Sequence, residues 1–238
     1  MQSPLKLLFP PQCVACGDPV EGEFGLCGTC WGKTPFINGL VCDCCGVPLP
    51  GEDEGAAIIC DDCMQVERPW QRGRSALIYK DNARRMVMAL KHGDRLDLAR
   101  PAGTWMARAL TPILDAEALV VPVPVHWTRL MKRRYNQAAV LAKSLAAEAR
   151  LEFAPDVLIR PRRTLPHERM GNAARFANMD GAIEPHPKRG ARLDGRKVLL
   201  VDDVMTSGAT LAATALAART AGARDINVIT LARVVKDA

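Results

Sequence analysis

The stretch VLLVDDVMTSGAT, Val198 to Thr210, decides how the rest of the chain is read. Four apolar residues, Val198 to Val201, run without alternation, as in a strand buried on both faces of a parallel sheet. Asp202 and Asp203 close that strand. Thr206-Ser207-Gly208-Ala209-Thr210 follows, and then LAATALAARTAG, a predicted helix stopped by Gly222. A helix start offers free backbone N–H groups and a partial positive charge, and the hydroxyls of Thr206, Ser207 and Thr210 add donors for a phosphate. The two acids would accept hydrogen bonds from vicinal hydroxyls or hold a divalent cation through its water. A phosphorylated sugar suits both halves. The segment is not a Walker loop, and no G-x-G-x-x-G occurs in the chain.

Cysteine spacing divides the 238 residues. All nine cysteines precede residue 64, and eight form C-x-x-C pairs: Cys13/Cys16, Cys27/Cys30, Cys42/Cys45 and Cys60/Cys63. Two thiolates from one tight turn fill adjacent corners of a zinc tetrahedron, and a second turn fills the others. Four such turns predict two structural zinc ions. Pairing neighbours gives a double zinc ribbon; a cross-braced arrangement uses the same eight ligands. Cys44 is left as a bystander or an alternative to Cys42. A disulfide framework would need an oxidising compartment. Met1 to Pro11 has only a short apolar run and no signal-peptide core, so a cytoplasmic location is expected. The linkers GDPVEGEFG and GVPLPGEDEGAA hold too few apolar residues for a core, so metal is expected to supply much of the module's folding energy.

Composition changes from Arg74. Ser75 to Tyr79 is strand-like, Asn82 to His92 and Ala99 to Leu110 are predicted helices, and Ala118 to Val125 (ALVVPVPV) is a second apolar strand. The chain is helical again after Asn136 and ends on a strand from Asp225 to Val234, expected beside the Val198 strand. This alternation predicts a doubly wound α/β fold with a parallel sheet. Ligands of such sheets bind at the carboxyl ends of strands, so the turn at Val123 to Arg129 and the turn after Asp203 should share a crevice. Arg160 to Asn178 reads as a mobile basic loop, and Asp180 to Lys197 as a surface connector. Between Arg129 and Arg175 there are 11 Lys or Arg against 4 Asp or Glu, a charge of +7 where the whole chain has +6. Such crowding suggests a polyanion, either pyrophosphate or a nucleic-acid backbone; a solvated basic surface is the plainer alternative.

Val198 to Thr210 resembles the phosphoribosyl-pyrophosphate (PRPP) signature of type I phosphoribosyltransferases. The resemblance implies ribose contacts from Asp202 and Asp203, 5′-phosphate contacts from Thr206, Ser207, Gly208, Ala209 and Thr210, and Mg²⁺ bound with PRPP. The VPVP turn is similar to the pyrophosphate loop of glutamine-dependent PRPP amidotransferases, which implies pyrophosphate contacts at Val123, Pro124 and the turn to Arg129. Residue 2 is Gln, so an amidotransferase proper is not expected. Arg160 to Asn178 resembles the flexible catalytic loop, through Thr164, His167, Arg175 and Asn178.

Over its full length the chain resembles the ComF/GntX group. That implies a double zinc ribbon at 1–68, a type I phosphoribosyltransferase-like domain at 69–238, and a role in DNA uptake with single-stranded DNA or other uptake proteins as partners. Arg134 stands where the group often has Gly, and His167 where it often has Gln. The catalytic candidates are Asp202, Asp203, Arg129, Arg163, His167 and Arg175, with Arg133 also expected at the clamp. Three readings stay open: an active phosphoribosyltransferase, an accessory protein of DNA uptake, and a zinc-dependent scaffold. The acceptor nucleophile and the oligomeric state are not readable.

Overall fold

The computed structural model describes residues 10–22, 25–165 and 170–235. Its centre is a five-stranded parallel sheet of β1 (Gly73–Ile78), β2 (Leu119–Pro122), β3 (Glu152–Phe153), β6 (Lys197–Met205) and β7 (Asp225–Arg233), in the order β1-β7-β6-β2-β3. An antiparallel pair, β4 (Leu158–Ile159) and β5 (Glu184–Pro185), lies outside it.

Side chains alternate across a strand, and β6 shows the consequence. Leu199 and Val201 enter one core with Met86 and Leu90 of α3 (Asp81–His92), Trp105 and Met106 of α4 (Ala99–Leu110), and Leu141 and Leu145 of α6 (Gln137–Ala149). Val198 and Leu200 enter the opposite core with Met179 of α7 (Asn172–Met179) and Leu211 and Ala215 of α8 (Ala209–Thr220). Both faces are covered, which is why the run could be uniformly apolar.

The cysteine-rich segment carries two one-turn helices, α1 (Gly28–Gly32) and α2 (Asp61–Gln65), and packs against the sheet in two places. Phe36 bridges Leu77 in antiparallel fashion, the Ile37 amide donates to the Ala76 carbonyl at 3.0 Å, and the Ile78 amide donates to the Pro35 carbonyl at 2.8 Å. This closes the exposed edge of β1. Cys42, Cys44 and Cys45 are buried with Trp70, Met205 and Val228 in the same core as α8. Metal is therefore not the segment's sole support: its second half borrows the core of the sheet domain.

Four expectations change. The second strand stops at Pro122, because Pro122 and Pro124 have no amide to continue a ladder. A short helix, α5 (Trp127–Arg133), begins within the turn at Val123 to Arg129, ahead of the helix expected after Asn136; His126 Nδ1 caps it by accepting from the Thr128 amide at 3.2 Å. In the stretch read as a mobile loop, Asn172–Met179 is helical, because Phe176 and Met179 pack into the core containing α8. The connector likewise buries Ala182, Ile183 and Leu193.

Arg134 ends α5 at φ 66°, in the left-handed region that favours glycine. Arg134→Gly should raise stability by about 1 kcal/mol, since a non-glycine residue is strained there. Unchanged or lowered stability in chemical denaturation would show that the Arg134 side chain offsets that strain.

Candidate functional site

At the carboxyl ends of β2 and β6 lies a crevice of about 1260 Å³. Asp202, Asp203, Thr206 and Thr210 line it from the β6–α8 side, and Val123, Pro124 and Arg129 from the β2 side. Arg163 and Arg175 reach it from the basic segment, as do Arg133, Arg134 and Arg160. The two turns thus face one space, as strand-end topology requires. Ser207, Gly208 and Ala209 form the backbone of the turn without lining the crevice, and His167 lies outside the described residues. Gly208 has φ 82°, and a Cβ there would stand 2.8 Å from Arg68 Nη1. Asn178 serves the loop base instead: its side chain accepts from the Leu165 amide and donates to the Leu165 carbonyl.

Asn136 fixes the β2 side. Its Nδ2 donates to the Val123 carbonyl at 2.9 Å while its Oδ1 accepts from the Ala138 amide and so caps α6. The neighbouring Tyr135 hydroxyl donates to the Leu90 carbonyl at 2.6 Å, tying this turn to α3.

The electrostatics are those of an anion site with a small acidic floor. Burial, then the charges of Arg133 and Arg163, pull Arg129 below the ordinary arginine range. Burial, then Arg129, lowers Arg160 to about 10. On the floor, Lys91 Nζ pairs with Asp203 Oδ1 at 3.1 Å, and the Asp203 amide donates to Asp202 Oδ1 at 2.8 Å. Burial and the adjacent Asp203 charge push the Asp202 carboxyl up to about 7. Sequence reasoning missed Lys91, which sits on α3, more than a hundred residues away; its place two residues before Gly93, at the last turn of that helix, was the available signal.

The cysteines form two clusters, Cys13/Cys16/Cys27/Cys30 and Cys42/Cys45/Cys60/Cys63, each with its sulfurs within 4.8 Å of one another. Cys16 and Cys27, and Cys45 and Cys60, have sulfurs 3.7 Å apart. A tetrahedron with Zn–S bonds of about 2.3 Å has edges of about 3.8 Å, so the donor sets fit structural zinc. Pairing is between sequence neighbours, not cross-braced. Cys44 belongs to neither cluster; it is buried, and its carbonyl accepts from the Trp70 indole at 2.7 Å.

Comparison with known proteins agrees with this architecture. Residues 4–64 match the double zinc ribbon domain, and residues 136–237 match the phosphoribosyl transferase domain. The chain is thus a phosphoribosyltransferase-domain protein headed by a zinc ribbon. It is 25% identical over 236 residues to the DNA utilization protein YhgH of Escherichia coli K12, covering 96% of this chain and 100% of the relative. It is also 25% identical over 231 residues to competence protein F of Haemophilus influenzae, covering 94% and 98%. The two domains in this order, with these full-length relatives, support its place in the ComF family. A solved PRPP amidotransferase from B. subtilis aligns over 60% of this chain and 30% of its own, with 18% identity and a TM-score of 0.39. No helix among the described residues is long and apolar enough to cross a membrane.

Metal analysis of reduced protein should find two zinc ions per chain, unchanged by Cys44→Ser. A lower count in that variant would make Cys44 a ligand. Carbon-13 NMR of the aspartate carboxyls should find Asp202 titrating near 7, and Asp203→Asn should move it downward. The substitution removes the charge that raises Asp202 and frees Lys91, whose charge lowers it. Burial keeps it above the ordinary aspartate value. An unmoved titration would show that the two acids do not interact.

Proposed function

We propose that this protein binds PRPP with Mg²⁺ in the crevice and acts in DNA uptake or utilisation, in the cytoplasm, where eight zinc-binding thiols stay reduced. One observation carries the reading: paired carboxylates at the end of β6 lie in the same space as Thr206, Thr210 and arginines from three other parts of the chain. A sugar bearing phosphate at one end and pyrophosphate at the other needs acceptors in the middle and donors at both ends. Val123, Pro124 and Arg129 would hold the pyrophosphate, and Thr206 to Thr210 the 5′-phosphate.

Asp202 and Asp203 would accept from the ribose hydroxyls, and Lys91 would exchange its contact with Asp203 for one with the incoming phosphates. Ionised carboxylates fit a hydrated divalent cation, which would offset pyrophosphate charge when bound. Displacement at C1 of the ribose by a nitrogen nucleophile is the chemistry this arrangement would support. Arg129, Arg163 and Arg175 would stabilise the departing pyrophosphate and shield the sugar from water, and the Asp202 and Asp203 charges would favour the developing oxocarbenium ion.

The DNA reading rests on the relatives' printed names and on the clustered arginines. Trp127 adds an exposed aromatic surface on α5, whose Thr128 and Arg129 line the crevice. A single-stranded segment would bind through its phosphates, with modest help from stacking.

Calorimetric titration with PRPP and Mg²⁺ tests the first half. Binding is expected, and Asp202→Asn/Asp203→Asn should weaken it by about 1.5–3 kcal/mol for each charge-assisted bond lost. No binding to the native chain would remove the PRPP reading. For the second half, single-stranded DNA should bind with a log–log salt slope of about −0.7 per phosphate contact and be displaced by saturating PRPP. Simultaneous binding would place DNA outside the crevice.

A further inference from the structure

Arg233, at the end of β7, is 4% exposed, and among the described residues no carboxylate pairs with it. Its Nη1 donates to the carbonyls of Met205 at 3.2 Å, Thr206 at 2.7 Å and Val234 at 2.7 Å, and its Nη2 lies 3.8 Å from the Cys45 sulfur. Arg68 does the same work one residue further along: its Nη1 donates to the Ser207 carbonyl at 2.6 Å. Its guanidinium also lies over Trp70 and Phe176, 5.6 and 5.8 Å from the ring centres, and the Trp70 indole donates to the Cys44 carbonyl beside the second cluster.

Three consecutive carbonyls, those of Met205, Thr206 and Ser207, are thus held on the side of the second cysteine cluster. A trans peptide plane points its N–H opposite to its C=O. Anchoring these carbonyls therefore turns the amides of Thr206, Ser207 and Gly208 the other way. None of the three donates to another group among the described residues. Successive free amides in such a turn form an anion-binding concavity.

Charge explains why the two anchors are arginines. Four thiolates around one Zn²⁺ leave a centre with a formal charge of about −2. Arg233 beside Cys45 places one cation against it, and Arg68, over the Trp70 ring whose indole donates to the Cys44 carbonyl, places a second on the same side; each donates from Nη1 to the turn. Loss of the metal removes that anionic centre and the bonds that hold the cluster's sulfurs and their loops in place against the two guanidiniums.

We propose that Arg68 and Arg233 are positioning residues that couple the second cysteine cluster to the Met205–Gly208 turn, so that zinc at Cys42, Cys45, Cys60 and Cys63 sets the turn's affinity for a phosphate group. The inference rests on the phosphate reading of that turn given above. The first cluster takes no part: its cysteines lie by the β1 edge and the Val14 side of the fold.

The test uses the full chain and two readouts, hydrogen exchange at the amides of 206–208 and calorimetric titration with PRPP and Mg²⁺. Cys60→Ser/Cys63→Ser removes the second zinc while leaving Cys45 in place, and Arg68→Met removes one anchor with both zinc ions retained. Each should accelerate exchange in the turn and weaken PRPP about tenfold or more, the scale of one charge-assisted hydrogen bond. In Arg68→Met exchange along β1 should stay unchanged, and Cys16→Ser/Cys27→Ser should alter neither readout. Native exchange and affinity in Arg68→Met overturn the proposal, including the case where the double cysteine variant fails to fold. If the native chain does not bind PRPP but the turn still loosens in Arg68→Met, the coupling stands and the PRPP reading fails.

Discussion

The burial of β6 on both faces is the constraint from which the rest follows. Hydrogen-bonded to β2 on one side and β7 on the other, with Leu199 and Val201 in one core and Val198 and Leu200 in the other, the strand has no free surface along its length. Polar chemistry can emerge only at its carboxyl end. Asp202 and Asp203 stand there, and the chain turns into α8 within a few residues. Because β2 is parallel to β6, its own end opens on the same side. The basic segment between them then has one crevice to line, not two.

That crevice concentrates cations at a cost. Arg129 and Arg160 are held below their ordinary range by burial and by each other's neighbours, so the arrangement is one that an anion would relax. The acidic floor is handled differently. Asp203 is paired with Lys91, whereas Asp202 sits between burial and a like charge and is pushed towards neutrality. Two adjacent carboxylates in one strand end thus have unlike environments, and a ligand that brings cations or hydroxyl donors to Asp202 gains the most.

The cysteine-rich segment is woven into this frame. Its first half covers the β1 edge, and its second half delivers buried cysteines to the core beneath α8. Close backbone approach fixes that contact: a Cβ on Gly73 would stand 2.4 Å from the Cys44 carbonyl, and one on Gly46 would stand 2.8 Å from Arg74 Cα. Arg74 and Arg72 both pair with Asp43, which holds the same seam electrostatically and keeps the Asp43 carboxyl below its usual range. Zinc in the second cluster would stabilise the turn that faces the crevice as well as the ribbon itself.

Much of this was legible in the amino-acid order because it is local. An unbroken apolar run, helical spacing in Asn82 to His92, and C-x-x-C turns each express the geometry of a few neighbouring residues, and they located the central sheet and the eight paired cysteines. The helix at Asn172–Met179 was not legible: it is only eight residues long, it lies in a stretch crowded with arginine and interrupted by Pro161 and Pro166, and it is held by Phe176 and Met179 finding α8. The helix at Trp127–Arg133 was hidden for a similar reason, since its cap is a histidine and its end a left-handed arginine. Lys91 on Asp203, Arg68 on Ser207 and Arg233 on Cys45 join residues separated by about half the chain or more. Sequence by itself determined which groups the protein owns and which strand ends present them. Only the tertiary structure decided which cation meets which carboxylate or carbonyl, because a long flexible side chain is committed to a partner by packing and desolvation, neither of which exists until the chain has closed on itself.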